Sequence, residues 1–235
     1  MHTRLNVREQ HMTFPKLKIA LAAAVLIASA QTQAALSVYT SQAEFDAAIA
    51  AMMPGLSGID SFDDLVAGAN LGSGPLARSA GGIGYSASAG PTSDILFGAG
   101  SASDAWLSTN NETDSLTFSS FAPGVFAAGM NLFNSDIGGE FQRAGSITLT
   151  VTDTEGSSSA TIRSRTMSTD SFLGFISTTE ITSLQVASFA RRVDVWPTVN
   201  NLSLASAVPE PEAYLMMLAG LAAIGFVARR RRMGS

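Results

Sequence analysis

Carboxylates, two tryptophans and a threonine-rich strand are the groups in this chain whose types and spacing suit chemistry. Asp60, Asp63 and Asp64 crowd into one short segment. Hard divalent cations take carboxylate and carbonyl oxygens and tolerate irregular loops, so a structural calcium ion is the cofactor such a corner would suit. A second oxygen-rich stretch, Asn110, Asn111, Glu112 and Asp114, has the same chemistry. Neither follows the EF-hand spacing, and both are equally the composition of turns and caps facing solvent. Trp106 and Trp196 each lie in a strand-like run beside polar residues. An indole face covers the apolar side of a pyranose, which makes the two a candidate sugar platform, although strand tryptophans also serve as core or rim packing. Paired carboxylates run glycoside hydrolysis, but no local pattern selects a pair, and no catalytic residue is assigned. Thr148, Thr150, Thr152 and Thr154 share one face of a strand and suggest the ladder of an ice-binding surface. A single strand does not make a plane, and threonine is in any case a good exposed strand residue.

What is missing narrows the chemistry further. There is no cysteine, both histidines (His2 and His11) precede Met12, and both lysines (Lys16 and Lys18) lie upstream of residue 35. Residues 35–207 therefore cannot assemble a Ser-His-Asp triad, a Cys-His pair, a Schiff base, a P-loop or a histidine-ligated zinc site. The expectation is a protein that is not an enzyme. The same segment holds six arginines against sixteen acidic residues, a balance of about −10. A surface of that sign repels nucleic acid and anionic membranes, leaving neutral sugars or divalent cations as easier partners.

The elements that must position these groups are mostly strands. Leu36 to Thr40 alternates, and Ser41-Gln42-Ala43-Glu44 is a capping box that starts a helix with Phe45, Ala48, Ile49 and Met52 on one face, ending at Pro54-Gly55. Gly58 to Phe62 reads as a strand. Residues 68–90 are dense in glycine, serine and alanine, with a strand at Ile83 to Ala87; Gly81, Gly82 and Gly84 lack the strand-then-helix context of a dinucleotide fingerprint. From Asp94 onward short apolar or alternating runs separated by turn residues argue an all-β sandwich. These are Ile95 to Gly98, Ala105 to Ser108, Ser115 to Ser119, Gly124 to Phe133, Ser146 to Thr152, Ala160 to Arg163, Phe172 to Ile176, Ile181 to Ser188, Arg192 to Trp196 and Val199 to Leu204. Asp153-Thr154-Glu155-Gly156 supplies the turn of the clearest hairpin.

The two ends direct traffic. From Met12, Lys16 and Lys18 precede an apolar stretch from Ile19 to Ala30 and then small residues, the pattern of a cleaved signal peptide. Signal peptidase cleavage would follow Ala34 or Ala30. At the other end Val208-Pro209-Glu210-Pro211 is a stiff linker, Ala213 to Ala228 an apolar run suited to a short membrane helix, and Arg229, Arg230, Arg231 and Arg232 a block that positive-inside bias holds in the cytoplasm. The chain thus divides into an upstream extension and signal peptide (1–34), a β-sandwich domain (35–207) and a tail (208–235).

In order and spacing, these three parts of the tail resemble the PEP-CTERM sorting tail of Gram-negative bacteria. Glu212 departs from that pattern, where a small residue is frequent. The resemblance implies export, transient anchoring in the inner membrane, processing by an exosortase, and delivery to the cell surface or beyond, with a structural or exopolysaccharide-binding role in biofilm. The rival readings are an ice-binding protein, a polysaccharide-degrading enzyme using paired carboxylates, and a permanently anchored envelope protein. The core resembles the jelly-roll domains often joined to such tails, through Phe62 to Leu65, Phe172 to Ser177, Ile181 to Leu184 and Asn200 to Leu204. Their closing strand commonly begins Asp-Asn; Asn200 stands here instead and is a weaker cation ligand.

Overall fold

The computed structural model describes residues 36–52 and 55–206, together with Leu221. The signal peptide, cleavage after Ala34, the Val208 to Pro211 motif, the Ala213 to Ala228 run apart from Leu221, and Arg229 to Arg232 lie outside the described residues. No helix among the described residues is long and apolar enough to cross a membrane.

Alternation does most of the folding work. In β10 (Ser146–Asp153) Ile147, Leu149 and Val151 are fully buried while the intervening residues point outward, the period of two that a sheet with one wet face requires. It pairs with β11 (Ser157–Arg163) on one side and β13 (Ile181–Phe189) on the other. Beyond β13 come β8 (Ser115–Ser119), β5 (Ile83–Gly90) and β4 (Leu76–Ala80), completing a six-stranded antiparallel sheet in the order β11-β10-β13-β8-β5-β4. The second, eight-stranded sheet runs β1 (Ser37–Tyr39), β12 (Phe172–Ile176), β9 (Val125–Ser135), β14 (Trp196–Ser206), β7 (Asp104–Thr109), β6 (Ile95–Ser101) and β3 (Asn70–Ser73), with β2 (Ser57–Asp60) paired to β14. The two sheets share one apolar core, where Leu116, Phe118, Leu149 and Val186 of the first meet Leu107, Met130, Phe175 and Leu204 of the second. The protein is mainly β, as expected, with two antiparallel sheets and one helix among the described residues.

That helix, α1 (Gln42–Met52), starts where the capping box places it, with the Glu44 amide donating to Ser41 Oγ at 3.4 Å. Only Phe45 and Ile49 are buried; Met52, expected on the same face, is 53% exposed. Phe45 packs on Phe172, Ile176, Ala127 and Ala205 on the outer side of the eight-stranded sheet. The trough for its ring is cut by two glycines directly opposite each other, Gly129 and Gly174; a Cβ on Gly174 would lie 2.7 Å from Phe45 Cδ2.

Two stretches fold differently from the sequence reading. Residues 68–90 contain three strands rather than one, because Gly81 and Gly82 both take positive φ (55° and 94°) and close a two-residue hairpin between β4 and β5. That turn conformation requires φ > 0 at both central residues, which glycine adopts freely. Of the strands expected at Arg192 to Trp196 and Val199 to Leu204, the first does not form, since Arg192 to Val195 lie outside any strand, and one long strand, β14, starts at Trp196 and takes in the second. A bulge between Asn200 and Ser203, with Asn201 at φ 52°, lets one edge of β14 pair first with β7 and then with β2.

Candidate functional site

The Asp60, Asp63 and Asp64 corner closes on an arginine. Arg78 of β4 donates Nε to Asp60 Oδ2 and Nη2 to Asp60 Oδ1, both at 2.7 Å, and reaches Asp64 through Nη2 at 2.6 Å. Tyr85 of β5 donates its hydroxyl to Asp60 Oδ2 at 2.6 Å, and the Phe62 amide donates to Asp60 Oδ1 at 3.1 Å. Asp60 is buried, and the Arg78 guanidinium stacks over the Phe62 ring at 5.1 Å. Asp63 is exposed and takes no part in these bonds. The hydrogen bond and charge of Arg78 hold the Asp64 carboxyl below the usual carboxylate range. Burial works against the charge of Arg78, but the bonds to Asp60 and Asp64 outweigh it and push its pKa up. Burial, reinforced by the bond to Asp60, pushes the Tyr85 phenol up. The Asp60 and Asp64 carboxylates are therefore engaged by the Arg78 guanidinium while Asp63 stands apart in solvent, and the corner is an ion-pair lock joining β2 to the β4-β5 hairpin. No group of three or more His, Asp or Glu side chains among the described residues is arranged to hold a metal ion.

The other oxygen-rich stretch is likewise structural. Asp114, buried, accepts bonds from the amides of Thr92 and Ser93 and from Ser93 Oγ, while Asn111 Oδ1 accepts from the Thr113 amide and hydroxyl. Asn200 uses its Nδ2 to donate to Asp104 Oδ1 at 3.0 Å. The tryptophans do not form a platform. Trp106 is 7% exposed, stands edge-on to Phe133 at 4.7 Å and donates Nε1 to Asp104; Trp196 is 9% exposed at the start of β14. Neither presents an open ring face to a sugar. Asp153 is also committed internally. Burial opposes its charge, but bonds from the Ser177 hydroxyl and the Glu155 and Gly156 amides outweigh burial and keep its carboxyl below the usual range.

An extended site does appear where the threonines are. Thr148, Thr150 and Thr152 face outward and pair across the ladder with hydroxyls of β11: Thr161 at 2.9 Å, Ser159 at 2.9 Å and Ser157 at 2.8 Å. Thr154 falls beyond β10, in the turn. Register carries the pattern across the sheet. One row runs Ser159, Thr150, Gln185, Thr117, Ser88; the next runs Ser157, Thr152, Ser183, Ser119, Ser86, Ala77. At about 4.8 Å between strands, the shorter row spans roughly 19 Å. Neither row contains a charged residue, in a domain that is otherwise strongly acidic. A hydroxyl has one donor and two acceptor positions, so each mutual pair leaves one donor and three acceptors for a ligand. The outward alternation of Ser115, Thr117 and Ser119, or of Ser86 and Ser88, is visible in the sequence; their alignment into rows depends on register, which is not.

The tail is settled by comparison. Residues 207–232 match the family model described as the PEP-CTERM protein-sorting motif. The chain carries a PEP-CTERM sorting signal. The match takes in Val208, Pro209, Glu210 and Pro211 and all of Arg229 to Arg232. A PEP-CTERM signal implies an exported protein, sorted through the membrane and processed by an exosortase. No curated protein and no solved structure matches the chain.

Proposed function

We propose that this PEP-CTERM protein is a non-enzymatic surface or matrix protein that binds exopolysaccharide through the outer face of its six-stranded sheet. The observation that carries the reading is the pair of uncharged rows crossing that face. A neutral glycan offers alternating hydroxyl donors and acceptors, and the unspent hydroxyl capacity of Ser157 to Thr161, Thr148 to Thr152 and Gln185 complements it without the cost of desolvating charge. The commitment of Asp60, Asp64, Asp114 and Asp153 to internal bonds supports a binding role over carboxylate catalysis. The strand order fits the jelly-roll-like arrangement the sequence resembles. In the tail, the apolar run from Ala213 to Ala228 halts translocation, Arg229 to Arg232 fix its orientation, and Pro209-Glu210-Pro211 is the segment offered to the exosortase.

The test is co-sedimentation of the processed protein with the host's own exopolysaccharide, with calcium and with a chelator. Saturable binding that survives chelation and is lost in Thr117→Glu/Thr150→Glu, with circular dichroism unchanged, is the expected result. Absence of binding by the unaltered protein overturns the reading. The paired Thr148, Thr150 and Thr152 hydroxyls favour ice as a second ligand, whereas the twist of adjacent strands, about 20–25° each, works against the plane that ice demands. Thermal hysteresis abolished by Thr150→Tyr would establish the ice reading.

A further inference from the structure

The arginines of the folded domain are not spread over it. Arg78 serves the lock, and it alone makes ion pairs among the described residues. Of the other five, Arg143, Arg163, Arg165 and Arg191 gather at one end of the six-stranded sheet, with Arg192 next to Arg191 in the chain. Arg163, Arg165 and Arg191 line a single cleft of about 740 Å³ with Ser146, Thr161 and Phe189. Arg143 sits against it, donating Nε to the Ser164 carbonyl at 3.1 Å and Nη2 to the Arg165 carbonyl at 3.3 Å. All five are exposed. Asp170 and Asp194, the acidic residues that follow Arg165 and Arg192 in the chain, form no ion pair with them. Phe189 leaves 63% of its surface in water at the same place.

In a domain carrying about −10, these arginines stand unneutralised beside an exposed aromatic ring, and of them Arg143 is tied to the fold through its two carbonyl bonds. We propose that this cleft binds the carboxylates of an acidic polysaccharide. The planar guanidinium fork matches a carboxylate in bidentate fashion, and the Phe189 ring supplies an apolar face for the adjoining pyranose. Thr161 and Ser146 belong to the outward hydroxyl-bearing positions of β11 and β10, so the cleft opens directly onto that face. A glycan with neutral and uronic units lies along the rows with an acidic unit held at the arginines. The acidic remainder of the domain disfavours a densely and uniformly charged polyanion such as duplex DNA, which places a charge about every 1.7 Å. The inference rests on the polysaccharide reading above and names its substrate class.

The experiment uses the processed protein purified from its host and three probes: polygalacturonate, the same polymer fully methyl-esterified, and a DNA duplex. Polygalacturonate is expected to bind at least about tenfold tighter than the ester, with the difference shrinking as salt rises. Arg163→Gln/Arg165→Gln/Arg191→Gln, which removes exposed side chains without ion pairs, is expected to erase that difference and leave binding of the ester unchanged. Phe189→Ala is expected to weaken both glycans. Equal affinity for acid and ester while the host's exopolysaccharide still binds overturns the arginine site alone. Failure of every glycan, the host polymer included, overturns the polysaccharide reading as well. Tighter binding to the duplex than to polygalacturonate assigns the cleft to nucleic acid and overturns the proposal.

Discussion

Replacing Arg78 by Met tests whether the Asp60 corner is a lock or a cation site. The substitution keeps the aliphatic volume but leaves the buried Asp60 with only the Tyr85 hydroxyl and the Phe62 amide of its four bonds. Each hydrogen bond to a charged group contributes about 1.5–3 kcal/mol, and removing one partner of a buried pair typically costs about 3–5 kcal/mol. Because Arg78 retains 11% exposure, water can reach part of the vacated space, which favours the lower end, about 3 kcal/mol. Loss of the contact over Phe62 adds up to about 1 kcal/mol. For a domain of this size, 1 kcal/mol moves Tm by about 2–4 °C, so a drop of about 10 °C is expected in a thermal melt at pH 7. Arg78→Lys, which keeps the charge but loses the fork, should fall between. The wild-type Tm should not change with millimolar calcium, since an ion bound at a hundred times its Kd would add about 2.7 kcal/mol. A loss below about 1 kcal/mol in Arg78→Met, or calcium stabilisation abolished by Asp60→Asn, would refute the lock.

Other consequences follow from named contacts. Phe45→Ala should cost about 3–5 kcal/mol and Gly174→Ala a comparable amount, because α1 is held by Phe45 and Ile49 and the glycine trough has no room for a Cβ; denaturant melts and faster hydrogen exchange in α1 report both. Asp153, depressed in the folded state, takes up its proton more readily when unfolded. Its contribution is full above the unfolded value of about 3.9 and is lost as pH falls through the folded pKa, so Asp153→Asn should flatten the acid limb of a urea-midpoint profile. Replacing Arg229 to Arg232 by Ser should impair membrane retention and exosortase processing, followed by immunoblot of the precursor; unchanged processing would remove the role given to those arginines.

What could be read from the sequence was what alternation and capping encode locally. Ser115–Ser119 and Phe172–Ile176 are strands over the expected residues, and Ser41 caps α1. The failures occurred where tertiary partners decide. Leu76 to Ala80 looks featureless until Gly81-Gly82 folds it onto β5, and β14 starts at Trp196, where its pairing with β9 begins, rather than at Arg192. Carboxylate spacing pointed to calcium because the partner of Asp60 lies eighteen residues away on another strand. The tryptophans could not be placed inside or out, since both residue environments share the same strand pattern. The hydroxyl rows and the arginine cleft arise from residues far apart in the chain and emerge only once strands are in register.

On the proposed reading, the six-stranded face meets the glycan. Hydrogen exchange of the processed protein, with and without the host's exopolysaccharide, tests it directly. Protection concentrated in β10, β11, β13 and β8 and in the Arg163 to Thr166 segment is the predicted result. Protection confined to α1 or the eight-stranded sheet, or none at saturating polymer, would contradict it.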